Sequence, residues 1–351
     1  MDVGVTNSLF GKTILAAPHS GAGVGGGHVM RCLTLADALT QRGAQVRFAV
    51  GPEGVALMRR FAAPFEVLPC RSAADLGVIT ATQSPDLLLV DSYALDATME
   101  AVWRRVVRRI VVIDDLANRP HRADLIIDPT FGRSAEAYRS LCPGATVLAG
   151  PQYALVRPEF RATRLERPAK ASAQIDRIFL SFGLSDVAGI TARAVSLTLA
   201  EIPAVRIEVA VSADATSLPL LASLSARDLR VRLHVDAQGQ AGLMRGADLA
   251  IGAGGSGIWE RASVGLANLA VVVADNQREL IERLAAGGYV EACDLSAADF
   301  DDQFRAALVR LSTPELRTER GNRLASLCDG RGPERVAEAI SGLLAQPGGR
   351  A

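Results

Sequence analysis

The stretch TILAAPHSGAGVGGGHVMRCLTLADALTQRG, residues 13–43, decides the fold. It opens with a short apolar run, Thr13–Ala17, crosses a turn rich in glycine, and continues as an amphipathic segment over His28–Gly43. Met30, Leu33, Leu35, Ala38 and Leu39 share one broad helical face. Gly43 suits the left-handed position that ends a helix. Strand, glycine turn and helix in that order open a βαβ unit, whose strands pair in parallel.

The same alternation continues outward. Further strands are expected near Gln45–Val50, Leu87–Asp91, Ile110–Asp114 and Leu125–Asp128 in the first half. In the second half they fall near Arg177–Ser181, Arg206–Val211, Arg230–Val235, Leu249–Gly252 and Ala267–Val273. Helical patterns follow at Ile190–Ile202, Gln238–Gly246, Ser256–Val264, Gln277–Ala286 and Asp301–Leu311. The expected architecture is α/β, with two Rossmann-like domains facing across a cleft. They span residues 11–160 and 174–332, followed by a C-terminal helix and tail over residues 333–351. Its helix, Pro333–Leu344, is expected to pack back on the first domain. Arg161–Ala173, rich in Arg, Pro and Ala, reads as the linker. Ligands of such folds meet the C-terminal ends of the strands.

Composition narrows the function. The chain has 351 residues, enough for two domains, and Lys+Arg and Asp+Glu both total 38. That balance argues against nucleic-acid or anionic-membrane partners. Five scattered cysteines without CxxC spacing read as reduced thiols, which points to the cytoplasm. No apolar run reaches the roughly 18 residues that span a membrane, and no signal peptide is indicated.

Three constellations carry chemistry. The first is Gly21–Arg31, where Gly26, Gly27 and Arg31 are candidate ligand contacts. A helix N-terminus there favours an anion. His28 sits in the first turn, where the same field disfavours imidazolium. A neutral, oriented imidazole is a general base, although a plain capping role fits equally. The loose GxGxxG match lacks an acidic residue ending the second strand near position 50, so a dehydrogenase is discounted.

The second constellation, Gly252-Ala-Gly-Gly-Ser-Gly-Ile-Trp-Glu-Arg261, also joins a strand to a helix. Gly254, Gly255 and Ser256 form a candidate diphosphate turn, with N–H donors expected from Gly255, Ser256 and Gly257. Glu260, one turn on, could accept both ribose hydroxyls or simply be a solvated helix acid. The third is Asp275-Asn276-Gln277, where Asn276 and Gln277 could recognise a sugar or the diphosphate flank, or cap a helix. Asp91-Ser-Tyr93 and Asp114-Asp115 close strands and are weaker candidates. No His or Cys stands near the paired aspartates at ligand spacing, so neither a metal nor any other cofactor is expected. His19, His121 and His234 read as surface or capping residues.

Taken in order, GGHVMRCLTLA (26–36), Asp91-Ser-Tyr93, Ile113-Asp-Asp-Leu-Ala117, Gly150-Pro-Gln-Tyr-Ala-Leu-Val-Arg157, Gly252–Arg261, Asn276-Gln277 and Asp329-Gly-Arg-Gly-Pro-Glu-Arg335 resemble the UDP-sugar hydrolases of pseudaminic acid biosynthesis. The resemblance implies a GT-B fold and inverting, metal-free hydrolysis of UDP-2,4-diacetamido-2,4,6-trideoxy-β-L-altropyranose at C1, feeding nonulosonic acid synthesis and flagellin or surface glycosylation. It implies that His28 activates water. Glu260, the Gly254–Ser256 turn and Asn276 would hold UDP, and Tyr93 and Arg157 would lie near the sugar. The family's Arg-x-Asp before the glycines is replaced by Ala17 and His19, and Leu184 replaces the second glycine of its Phe-Gly-Gly turn. Transfer from a UDP-sugar donor to an organic acceptor, and non-catalytic UDP-sugar binding, are the rival readings.

Overall fold

The apolar runs become parallel strands. A computed structural model describes residues 8–21, 26–167, 173–183, 186 and 189–347. The chain divides into two compact units, Met1–Leu155 with Arg331–Ala351, and Val156–Gly330.

The first unit runs β1 (Thr13–Pro18), α1 (Gly27–Gln41), β2 (Gln45–Val50), α2 (Pro52–Arg60), β3 (Glu66–Pro69), α3 (Ala73–Gln83), β4 (Leu87–Asp91), α4 (Ala97–Trp103), β5 (Arg109–Ile113), β6 (Leu125–Asp128) and β7 (Thr146–Ala149). All seven strands are parallel, in the order β3-β2-β1-β4-β5-β6-β7. The sequences LLLVD of β4 and RIVVI of β5 are buried throughout, because helices cover both faces. Alternate residues serve opposite faces. Ile14, Ala16, Leu87 and Leu89 pack with Leu35 and Leu39 of α1. Leu15, Ala17, Leu88 and Val90 pack with Leu76 and Trp103 on the other side. Helix α1 ends as expected at Gly43, whose φ is +98°. Its N–H donates to Thr40 O and that of Ala44 to Leu39 O, the paired bonds of a Schellman motif.

The second unit runs α5 (Pro158–Leu165), β8 (Arg177–Ser181), α6 (Ile190–Glu201), β9 (Arg206–Val211), α7 (Leu218–Arg227), β10 (Val231–Val235), α8 (Gln240–Arg245), β11 (Leu249–Ala253) and α9 (Gly257–Val264). It continues through β12 (Asn268–Val272), α10 (Asp275–Ala286), β13 (Glu291–Asp294), α11 (Phe300–Leu311) and α12 (Pro314–Leu327). Its six strands are parallel in the order β10-β9-β8-β11-β12-β13. The last helix, α13 (Gly332–Ala345), belongs to the first unit, with Val336, Ile340 and Leu344 in the same core as α1. Among the described residues no helix is long and apolar enough to cross a membrane.

Two features differ from the sequence reading. Strands β3, β7 and β13 were not anticipated. All three are four-residue strands at sheet edges, where one flank is unpaired and the apolar signal is diluted. The expected linker is helical as far as Leu165, with Phe160 and Thr163 buried. Its arginines hold the second unit together. Arg164 donates to Ala325 O at 2.9 Å, and Arg167 to Met244 O at 2.7 Å and Ala247 O at 2.8 Å. Residues 168–172 of that stretch, and Leu184, lie outside the described residues.

Candidate active site

In each sheet the strand order reverses direction at one point, the place where open α/β sheets bind ligands at their strand C-termini. In the first unit that point lies between β1 and β4, where Pro18 pairs with Asp91. His28, the second residue of α1, is 8% exposed. Its Nδ1 lies 2.6 Å from Asp91 Oδ1. Arg31, one helical turn on, binds the same carboxylate. Its Nε lies 2.5 Å from Oδ2 and its Nη2 2.5 Å from Oδ1. The Cys32 thiol donates to Oδ2 at 3.7 Å.

Asp91 is fully buried. Burial alone would push its carboxyl up, but the Arg31 guanidinium and then the His28 ring outweigh it and hold the group well below the usual carboxylate range. An ionised carboxylate only accepts hydrogen bonds. His28 Nδ1 is therefore the donor of this contact, which in the neutral tautomer places the lone pair on Nε2. Gly26 caps α1 without a side-chain hydrogen bond, and the first turn holds no acidic residue. The positive end of the helix thus faces a base rather than a capping carboxylate. Tyr93 meets the His28 ring edge-on, with centroids 4.7 Å apart. His19 lies 6.0 Å away, and burial followed by the nearby His28 lowers its pKa.

Several expected residues take different places. Arg31, expected as a ligand contact, turns its side chain to Asp91 and, through Nη1 at 2.8 Å, to Asp115. Burial would lower its pKa, and the two carboxylates raise it well above the ordinary value instead. Gly26 sits at φ −64°, open to any residue, so backbone conformation does not account for glycine there. Asp114 accepts from the Ala117 N–H at 3.0 Å, Arg119 Nη1 at 2.8 Å and the Tyr138 hydroxyl at 2.9 Å. Among the described residues no group of three or more His, Cys, Asp or Glu side chains could hold a metal ion. His121 is no surface residue. It is buried, with Nδ1 2.8 Å from the buried Glu100 carboxylate. His234 is half-buried against Glu208 at 2.6 Å.

In the second unit the reversal lies between β8 and β11, and the turn Gly254–Ser256 follows β11 there. Ser256 caps α9 without a side-chain hydrogen bond. The N–H groups of Gly255, Ser256 and Gly257 precede any intrahelical acceptor, which leaves them available to an anion. Gly254 plays another part. Its N–H donates to Gln277 Oε1 at 3.2 Å, and a Cβ there would collide with Ile281. A Cβ at Gly252 would collide with the Ser181 carbonyl. Gln277 also accepts from Val273 N–H at 3.3 Å, so its carbonyl braces the turn. Asn276 is exposed on the first turn of α10, whose cap is Ala274 rather than Asp275 or Asn276.

Glu260 is partly buried and pairs with Arg157 Nη2 at 3.3 Å. Burial pushes its carboxyl up against the pull of Arg157. Arg157 is further held by Glu159 at 3.2 Å and stacks on Phe160 at 4.8 Å. It therefore stands with Glu260 and the glycine turn. Sequence reasoning missed Arg261. Buried beneath the turn, it donates to Ala253 O at 2.6 Å and to Asn268 at 3.2 Å. Burial draws its pKa down to about 10. Sequence reasoning also gave Asp91 no partner, although its place at the end of a strand beside the glycine loop was the available signal.

No protein-family model matches the sequence, and a search of curated proteins finds no match. Solved structures match along nearly the whole chain at low identity. MurG of Acinetobacter baumannii superposes with a TM-score of 0.66 at 15% identity, covering 94% of this chain and 99% of that one. A UDP-glucosyltransferase from Polygonum tinctorium that glucosylates indoxyl gives 0.65 at 14%, covering 96% and 99%. A putative UDP-N-acetylglucosamine 2-epimerase from Listeria monocytogenes gives 0.58 at 13%, covering 94% and 96%. These likenesses establish the GT-B fold, with its two parallel Rossmann-like sheets.

Proposed function

We propose that this chain is an enzyme acting at the anomeric carbon of a nucleotide sugar, with His28 as general base. One observation carries the reading: the 2.6 Å contact between His28 Nδ1 and a buried, ionised Asp91 at the switch point of the first sheet. It fixes the ring and directs the basic lone pair to Nε2, the arrangement required of a base that takes a proton from an attacking hydroxyl. The Gly255–Gly257 amides at the start of α9 suit a diphosphate, and Glu260 suits ribose hydroxyls. In the step, Nε2 takes the proton, oxygen attacks C1, and the bond from C1 to the diphosphate oxygen breaks. The nucleoside diphosphate leaves as an anion stabilised by the helix terminus.

The sequence resemblance names water as the nucleophile and a UDP-linked 2,4-diacetamido-2,4,6-trideoxy sugar as the substrate. The glucosyltransferase among the solved neighbours favours a second reading, transfer to an organic hydroxyl. Incubation with the UDP-sugar, alone and with candidate acceptors, followed by NMR of the anomeric proton, separates them. Free sugar of inverted configuration without acceptor supports hydrolysis, and product formed only with acceptor supports transfer. His28→Asn should lower turnover at least about 10²-fold with UDP affinity retained. Normal turnover in that variant would remove the base from the mechanism.

A further inference from the structure

The carboxylate that orients His28 is also bound, at two points, by a guanidinium. A carboxylate hydrogen-bonded to one imidazole nitrogen makes the other more basic, and unopposed it favours imidazolium. A base already protonated at working pH accepts nothing. Here Arg31 meets both oxygens of Asp91 at 2.5 Å, and its Nη2 is 3.2 Å from His28 Nδ1. Both side chains are almost wholly buried, so little water screens them. A second carboxylate, Asp115, sits on the far side of the guanidinium at 2.8 Å.

We propose that Arg31 is a positioning residue that keeps His28 an unprotonated base. By binding the carboxylate that orients the ring, it takes up the negative charge that would otherwise hold a second proton on the imidazole. The groups facing His28 are Asp91 from β4, Tyr93 from the loop after it, His19 from the end of β1, and Arg31 and Cys32 from its own helix. Asp115 acts through Arg31. Of these, Arg31 brings the fixed positive charge and Asp115 a counter-charge to it. The two therefore act on His28 with opposite sign. The pH–rate readout rests on the function proposed above, but the charge arrangement does not.

The chain holds four histidines, so imidazole NMR of the full-length protein gives few signals, and His28 is assigned by its loss in His28→Gln. Arg31→Met should move the His28 titration up by about one to two pH units. Arg31→Lys keeps a charge but loses the two-point grip and should fall between that variant and the native protein. Asp115→Asn should move the titration down, by less. If the proposed function holds, the acid limb of kcat/KM moves in step; a purely structural role would lower its height without moving it. Should Arg31→Met fail to fold, the opposite shifts of Arg31→Lys and Asp115→Asn decide. Coincident titrations in all variants, or a downward shift in Arg31→Lys, overturn the proposal. Shifts as stated without turnover of any nucleotide sugar would sink the function and leave this inference standing. Turnover without shifts would do the reverse.

Discussion

Replacing Asp91 with Asn tests the centre of the first unit without changing its shape. The amide oxygen can still accept from His28 Nδ1 and Arg31 Nη2, but its NH₂ then faces Arg31 Nε, and the buried guanidinium loses a counter-charge. Removing one member of a buried ion pair costs roughly 3–5 kcal/mol. Arg31 keeps Asp115 at 2.8 Å, so the lower end applies, about 3 kcal/mol. With a urea slope of about 2–3 kcal/mol/M, the first unit's midpoint should fall by roughly 1–1.5 M. The two tryptophans report separately, because buried Trp103 lies in the first unit and buried Trp259 in the second. Fluorescence of Asp91→Asn in a Trp259→Phe background should show the shift; in a Trp103→Phe background it should not. Because the folded carboxyl titrates below its unfolded value, its contribution is complete above the unfolded pKa of about 3.9. It is lost as pH falls through the depressed folded value. Measured in a His28→Gln background, which removes the coupled imidazole, the gap should therefore stay constant from about pH 5 to 8 and narrow only in stronger acid. An unchanged first-unit midpoint, or a gap that widens in acid, would refute the reasoning.

Three further outcomes are expected. Glu260→Ala should weaken UDP binding by roughly 1–3 kcal/mol in calorimetry, and equal affinity would return Glu260 to a structural role. Arg157→Gln removes the pairing that opposes burial of Glu260, so UDP affinity should fall as pH drops from 8 to 6 more steeply than in the native protein. Parallel pH profiles would dismiss that pairing. Gly254→Ala meets the Ile281 side chain and should cost about 1–3 kcal/mol, seen at Trp259 on denaturation. Gly255→Ala, whose new Cβ would be 3.8 Å from Gln277 Nε2, should leave stability within about 0.5 kcal/mol.

The fold was legible wherever strands were buried on both faces. LLLV at Leu87–Val90 and RIVVI at Arg109–Ile113 stand out because sheets covered on both sides demand continuous apolar runs. EVLP, TVLA and EACD do not, since an edge strand of four residues needs only one or two buried side chains. The partners of several arginines were not legible, for related reasons. Arg164 and Arg167 looked like solvated linker charges, yet they serve backbone carbonyls. Arg31 was read as an anion contact, and its bond to Asp91 was not foreseen. A sequence shows that a cation is present; which acceptor it meets is a tertiary fact. Asp91 was named as a weaker candidate, but its pairing with His28 was not foreseen, because 63 residues separate the two and only the β1–β4 pairing brings them together.

The glycines of the second unit are small for different reasons. Read as a string, Gly252-Ala-Gly-Gly-Ser-Gly offers a row of small residues around an anion. In the fold, Gly252 is small because the Ser181 carbonyl of the neighbouring strand lies where a side chain would stand. Gly254 is small because Ile281 of α10 packs onto it, and its N–H already serves Gln277. Gly255 has only the Gln277 amide near it, at ordinary contact distance. Packing thus explains the first two, and the third alone has space beside it for an approaching ligand. Gly255, Ser256 and Gly257, whose amides the sequence offered to an anion, lie at the start of α9, where no side chain caps the helix. Gln277 and Arg261 hold the turn in place from outside that set, through Gly254 N–H and Ala253 O. A turn braced in this way costs little binding energy to order when a ligand arrives.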